Sequence, residues 1–326
     1  MAELQTQFNR FHETIKIDFD GNKPLRDKRD LIVGNLRDGL RRLYPTNTPT
    51  FESFNQGSYD LSTGVEPLAG EDYDIDVGII FNILKDDNNP VGVKELVHKI
   101  LDAVYQRKVE IKRPCVRVQY HKQGEKHFHI DLAIYAYGKD IWGRKNDTLY
   151  IAKGFPGSSQ DKKTWENSEP FKLKELLKSK IPDNSDREQF RRVIRYLKRW
   201  KDYNFSVIGT ERPTGIALTA CCYHLFSVQK DYNHYTRTNQ YNDLRALLNV
   251  VNGIANTFGW WNRISVKLPV IPNNELFEKL SDKQMLNFKT KLNDFKNILT
   301  NATNDVQATT ACMRLRGAFG GDFPTY

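Results

Sequence analysis

Asp74-Ile75-Asp76 places two carboxylates one residue apart. On a strand, residues i and i+2 point to the same face, which sets the two Cβ atoms roughly 7 Å apart along it. That spacing suits a pair of divalent ions about 3.5–4 Å apart, shared between both carboxylates. Without a cation the two repel, and hard oxygen ligands select Mg²⁺ or Mn²⁺. Gly57-Ser58, sixteen residues before Asp74, offers backbone N–H groups and a hydroxyl, the donors a phosphate needs. A third carboxylate, Asp131, lies among apolar neighbours in His127-Phe128-His129-Ile130-Asp131-Leu132-Ala133-Ile134, where an unneutralised charge is costly. His127 and His129 share its face. With this carboxylate set they are expected to line a polar cleft or to donate to the acids, rather than to hold a transition metal. Singly, each piece is commonplace; their order along the chain is what is specific.

The elements that must position these residues are legible in the periodicity. Leu25, Ile32, Leu36, Leu40 and Leu43 have helical spacing, stopped by Tyr44-Pro45-Thr46-Asn47. A short strand over 50–54 enters the turn Asn55-Gln56-Gly57-Ser58, and a second over 73–81 carries Asp74 and Asp76. Pro90 opens a helix with Val93, Leu96, Val97, Ile100, Leu101 and Val104 on one face. Alternation over 109–120 and 127–135 predicts two further strands, joined across Lys122-Gln123-Gly124-Glu125. Gly154, Pro156, Gly157, Ser158 and Ser159 mark a hinge, so a boundary is expected near 160, with units 1–160 and 161–326. Beyond it helices are predicted over 171–180, 186–203, 215–229, 242–252 and 283–299, the last capped by Ser281.

Composition limits the alternatives. At about 150 residues per domain, 326 residues predict two domains or one bilobal unit. Hydrophobic residues at 39% and charged residues at 27% are globular values and exclude a disordered chain. Lys and Arg outnumber Asp and Glu by 49 to 40, and the +9 balance favours an anionic partner such as a nucleotide or nucleic acid. Cys115, Cys221, Cys222 and Cys312 form no CxxC pair, which predicts a reducing compartment. No basic segment followed by an apolar core opens the sequence, and its longest uncharged apolar stretch falls short of the roughly 20 residues a membrane span needs. A soluble, cytoplasmic protein without membrane association is expected.

The ordered pattern Gly-Ser, D-x-D, then a lone strand Asp resembles the polymerase-β-like nucleotidyltransferases. The fuller text Gln56-Gly57-Ser58-Tyr59 and Asp72-Tyr73-Asp74-Ile75-Asp76-Val77-Gly78 resembles the bacterial relatives of cyclic GMP-AMP synthase and oligoadenylate synthase. These are the CD-NTases, among them the DncV-like and CdnE-like cyclic dinucleotide synthases of anti-phage defence. Trp165-Glu166-Asn167-Ser168-Glu169-Pro170 is similar to the family's W-x-x-S-x-P segment, and Arg195-Tyr196-Leu197-Lys198-Arg199-Trp200 to its R-x-L-K-x-W helix. Arg212-Pro213-Thr214-Gly215-Ile216-Ala217-Leu218-Thr219 resembles its P-S-G-I-A-L-T stretch, with Thr214 where Ser is usual. Phe190, Val193, Ile194, Leu197 and Trp200 form an apolar stripe on that helix, and Arg191, Arg195 and Lys198 a basic one beside it.

The resemblance implies an α+β fold: a bilobal polymerase-β-like core of mixed sheet and helices, plus a helical C-terminal lobe of oligoadenylate-synthase type. It implies that Asp74, Asp76 and Asp131 are catalytic and bind two Mg²⁺, with Mn²⁺ as substitute. It implies that Gly57, Ser58, Lys198 and Thr214 hold a triphosphate, Arg195 being a weaker candidate, and that Gln56 and Ser168 also bind nucleotide. Ser168 is read as mildly favouring a purine. Two or three NTPs would be joined into a cyclic oligonucleotide sensed by a separate effector protein. A monomer needing no DNA or RNA activator is expected, since no Cys/His zinc insertion is visible. Linear oligonucleotide synthesis, or nucleotidyl transfer to an RNA or protein, is the alternative.

Overall fold

The structure is a computed structural model and describes residues 2–17, 23–69, 71–104, 107–120, 128–206, 212–234 and 237–326. His127 and the expected link at 122–125 lie outside them.

Helices α1 (Gln5–Ile15) and α2 (Lys23–Leu43) open the chain, followed by β1 (Phe51–Asn55), the single turn α3 (Gly57–Asp60), β2 (Tyr73–Leu84) and α4 (Pro90–Asp102). Strands β3 (Arg107–Ile111), β4 (Val116–Tyr120), β5 (Phe128–Lys139), β6 (Lys145–Ala152) and β7 (Trp165–Ser168) complete one sheet. Helices α5 (Lys172–Lys180), α6 (Asn184–Asn204) and α7 (Gly215–Leu225) follow, then the hairpin β8 (Lys230–Asn233) and β9 (Thr238–Tyr241). Helices α8 (Asp243–Asn256), α9 (Asp282–Asn304) and α10 (Ala308–Phe319) end the chain. The fold is α+β, a mixed sheet with helices joined to a helical lobe.

Strand β5 organises the sheet. Along one edge it pairs in parallel with β2, while its other edge takes β4 over the first half and β6 over the second, both antiparallel. In β2 the alternation works as expected: Tyr73, Ile75 and Val77 are buried with Ile32 and Leu36 of α2 and Val97 and Leu101 of α4, leaving Asp74 and Asp76 for the opposite face. Asn89 caps α4 by accepting from the N–H groups of Val91 and Gly92, and Pro90 occupies the first turn, where its missing N–H costs nothing. The capping box of Ser281 and Gln284 opens α9 as expected.

Three expectations change. The strand read over 109–120 is two, β3 and β4, folded back on each other where Lys112 N–H donates to the Cys115 carbonyl (2.9 Å) around Pro114. Residues 5–15, inside the expected unit 1–160, form helix α1 and pack in the core of the helical lobe: Phe8 and Phe11 lie against Tyr196, Phe319 and Phe323. The sheet also runs past the expected boundary near 160, because β7 pairs with β6 as far as Ser168. All four cysteines are free and buried, and among the described residues no helix is long and apolar enough to cross a membrane.

Candidate active site

The site is a cavity of about 370 Å³ between the sheet and the helical lobe. Gly57, Ser58, Asp74 and Asp76 line it from the sheet side, and Lys198, Thr214 and Gly215 from the helical side. Six of the sequence-predicted residues therefore meet there: Gly57, Ser58, Asp74, Asp76, Lys198 and Thr214. Gln56, Asp131 and Ser168 do not line it. A second cavity of the same volume, between the start of the chain and the β8–β9 hairpin, holds none of the predicted residues.

Gly57 is needed for its backbone. Its φ is +60°, and a Cβ there would overlap the Asp76 carboxylate. The turn is fixed to β2 by Gln56 N–H donating to the Asp76 carbonyl (3.0 Å), and to the next loop by Thr63 N–H donating to the Ser58 carbonyl (2.9 Å).

Register across three strands sets the acidic face. Asp74 stands opposite His129, and Asp76 opposite Asp131, in the β2–β5 pair; Asp131 stands opposite Arg117 in the β5–β4 pair. His129 lies between two acids, 3.1 Å from Asp72 and 3.3 Å from Asp74, which bears out its expected place among carboxylates. Arg117 donates from Nε to Asp131 Oδ1 (2.8 Å) and from an Nη to Oδ2 (2.7 Å), and that Nη is 3.9 Å from Asp74.

These neighbours divide the two acids of β2. Burial pushes the Asp76 carboxyl up to about 7, helped by the charges of Asp131 and Asp74. At Asp74 burial also pushes upward, but the His129 hydrogen bond and the Arg117 charge outweigh it and hold its pKa below the usual range. Asp74 and Asp76 fit a hard divalent cation, since both supply oxygen and the charges of Lys198 and Arg117 do not offset the burial of Asp76 and the repulsion of its neighbouring acids. Asp131 is different, because both of its oxygens are engaged by Arg117. Among the described residues no three acidic, histidine or cysteine side chains form a ready-made ligand cluster.

Opposite the acids, α6 and α7 supply the cationic wall. Lys198 is buried and donates to the carbonyl (3.0 Å) and hydroxyl (3.2 Å) of Thr63. A Cβ added at Gly215, at the start of α7, would lie 3.4 Å from the Lys198 Cε, an ordinary van der Waals contact. Thr214 caps α7 by accepting from Ala217 N–H (3.3 Å), and no acidic residue occupies the first turn, so the positive end of that helix faces the cavity. Arg195 does not reach the cavity. It donates to the Gly64 carbonyl (3.2 Å) and the Ser62 carbonyl (2.5 Å) and lies 3.0 Å from His12 Nε2. Arg195 and Lys198 are thus buried and grip the backbone of residues 62–66, with Arg199 donating to the Glu66 carbonyl (2.7 Å), while Arg191 pairs with Glu188 on their own helix. Gln56 and Ser168 are linked through one buried hydroxyl. Gln56 donates to Tyr135 Oη (2.5 Å), which also hydrogen-bonds Ser168.

Sequence reasoning missed Arg117, Thr63 and Tyr135. Tyr135 was within reach, since it shares the face of Asp131 and His129 by alternation. Arg117 was not, because only the register of β4 on β5 brings it to Asp131.

A mixed sheet presenting paired carboxylates to a Gly-Ser turn, closed by a lysine-bearing helical lobe, is the fold of the polymerase-β-type nucleotidyltransferases. Residues 51–135 match the family model described as "Cyclic GMP-AMP synthase DncV-like, nucleotidyltransferase domain", so this part of the chain is a domain of that kind. It is 25% identical over 191 residues to the c-di-GMP synthase of Roseivirga ehrenbergii, covering 55% of this chain and 50% of that one. It is also 25% identical over 230 residues to the cyclic GMP-AMP synthase of Vibrio cholerae, covering 58% and 50%. The matched part thus spans about half the length of these curated relatives. The crystal structure of Vibrio cholerae DncV cyclic AMP-GMP synthase, in complex with the linear intermediate 5′ pppA(3′,5′)pG, superposes with a TM-score of 0.71 at 18% identity, over 98% of this chain and 96% of that one.

Proposed function

We propose that the chain is a template-independent nucleotidyltransferase that joins two NTPs into a cyclic dinucleotide. The observation that carries this reading is the convergence of Asp74 and Asp76 with Lys198 and Thr214 in one cavity between the lobes. Carboxylates on one wall and phosphate donors on the other suit transfer of a nucleotidyl group. An acceptor ribose hydroxyl forms the new O–Pα bond, the bond from Pα to the bridging oxygen breaks, and pyrophosphate leaves with the electron pair. The hydroxyl proton passes to the carboxylate face and then to solvent.

Asp74 and Asp76 are the residues that would hold Mg²⁺ or Mn²⁺, with Asp131 as third ligand. When bound, a pair of such ions would favour deprotonation of the acceptor hydroxyl and offset the charge of the triphosphate. The protein's own part is to orient. Gly57 and Ser58 leave room for the phosphates, and the Lys198 ammonium and the start of α7 attract them. Gln56 and Ser168, tied through Tyr135, would contact the base, a purine being favoured. A linear dinucleotide would then turn over and close in a second transfer of the same kind, and a third NTP before closure would give a trinucleotide. By the same reading the product is a second messenger for a separate effector in anti-phage defence, made by a cytoplasmic monomer without a nucleic-acid activator.

The test is incubation of purified protein with Mg²⁺ or Mn²⁺ and all four NTPs, followed by phosphatase and mass spectrometry. A phosphatase-resistant cyclic di- or trinucleotide is expected. Linear products alone would assign a template-free polymerase instead, and transfer of label to added RNA or protein would assign a macromolecular acceptor.

A further inference from the structure

We propose that Arg117 is a latch on Asp131, a positioning residue whose guanidinium competes with divalent cation for the third carboxylate of the site. The inference rests on the reading of Asp74, Asp76 and Asp131 as metal ligands. The Arg117–Asp131 pair is two-pronged, at 2.8 and 2.7 Å, between residues directly opposite each other on β4 and β5. Forked guanidinium–carboxylate pairs of this length are the strong, geometrically fixed kind. Asp131 is also largely enclosed, at 14% side-chain exposure, so solvent screens the pair little.

The same guanidinium reaches toward the second carboxylate, 3.9 Å from Asp74 Oδ1. Arg117 therefore sits between the acid it holds and one of the pair on β2. A dication shared with Asp131 must come to the oxygens that Arg117 occupies, and it is repelled by that fixed positive charge at short range. Binding at this third carboxylate accordingly requires the fork to open or turn aside. The latch thereby couples two events: the site keeps Asp131 neutralised and ordered while free of metal, and it holds metal fully only when the cation displaces the guanidinium.

The coupling is read by Mn²⁺ titration of the full chain without nucleotide, following free Mn²⁺ by its paramagnetic resonance signal. Arg117→Gln is expected to bind Mn²⁺ about tenfold more tightly than the parent, the size set by removing one nearby unit charge at partly screened range. Asp131→Asn should weaken binding, and adding it to Arg117→Gln should erase the gain. Arg117→Lys, which keeps the charge but not the fork, should fall between parent and Arg117→Gln and serves as second variant if the glutamine form fails to fold. Binding by Arg117→Gln, or by Arg117→Lys in its place, that is equal to or weaker than the parent's would overturn the latch while leaving the metal reading intact. Absence of Mn²⁺ binding by every form would overturn the metal reading and the latch with it.

Discussion

Gly57 and Asp76 are packed so closely that the glycine has no room for a side chain: a Cβ there would lie 2.2 Å from Asp76 Oδ2. The backbone there is also left-handed, at φ +60°. An L-residue would carry both a conformational cost of roughly 1–2 kcal/mol and a clash with the acid. Gly57→Ala is therefore expected to lower the urea midpoint by the equivalent of about 2 kcal/mol and to reduce product formation at least tenfold, because the only relief is displacement of Asp76. Unchanged stability and rate would mean that the turn adapts freely and that its close approach to the acid has no consequence.

Asp76 also sets how the metal-free protein responds to pH. Its pKa is raised to about 7, first by burial and then by Asp131 and Asp74. A carboxyl raised in the folded state favours folding below its unfolded pKa of about 4, and that contribution is lost as pH rises toward 7. In EDTA at pH 8, Asp76→Asn is thus expected to be more stable than the parent, by on the order of 2 kcal/mol, with the gap closing near pH 4. The same variant should make no cyclic product. Thermal melts across this range check the first expectation, and loss of stability at pH 8 would show that the carboxylate is already neutralised by its surroundings.

The acidic face was legible because strand alternation is a strict period of two. Once Asp74-Ile75-Asp76 is read as strand, both acids must share a face, and the structure puts them together in the cavity. The contribution of α6 was legible in its register but not in its environment. A row of Arg191, Arg195 and Lys198 looks like a solvated face, yet Arg195 and Lys198 are buried because the loop at 62–66 supplies carbonyl acceptors from more than a hundred residues away. Non-local partners of that kind leave no trace in periodicity. Helix α10 was missed for another reason. Its buried residues Ala311, Cys312, Leu315, Ala318 and Phe319 are mostly small, so the apolar stripe is faint. Helix α1 could have been read, since Phe8, Phe11 and Ile15 follow helical spacing.

Lys94 shows how much the hairpin that carries Arg117 depends on one side chain. It is fully buried, and its ammonium donates to the carbonyls of Lys112 (2.6 Å), Arg113 (2.9 Å) and Gly154 (2.5 Å). These three acceptors close the β3–β4 turn and tie it to the end of β6. Lys94→Met keeps the length and leaves the carbonyls without a donor, each worth roughly 1–3 kcal/mol when buried, partly offset because a desolvated charge is also removed. A net loss of about 3 kcal/mol is expected in urea unfolding. A midpoint within error of the parent would show that water takes over all three carbonyls.

Lys198 makes nucleotide binding depend on pH. Burial, then the charges of Lys201 and Arg195, lowers its pKa to about 7. A lysine depressed in the fold loses its proton more readily folded than unfolded, so its contribution to stability rises as pH climbs from about 7 toward its unfolded value near 10.5. Attraction for a triphosphate runs the other way, because only the ammonium attracts anions. Asp76, titrating in the same range, adds repulsion as pH rises in the absence of metal. Affinity for a non-hydrolysable ATP analogue, measured in EDTA by calorimetry, should therefore fall about tenfold or more between pH 6 and pH 9. Lys198→Met separates the two causes: it should bind weakly at pH 6 and keep only the part of the decline that Asp76 produces. A variant with the parent's affinity and the parent's pH profile would remove Lys198 from the triphosphate site and leave its bond to Thr63 as its whole role.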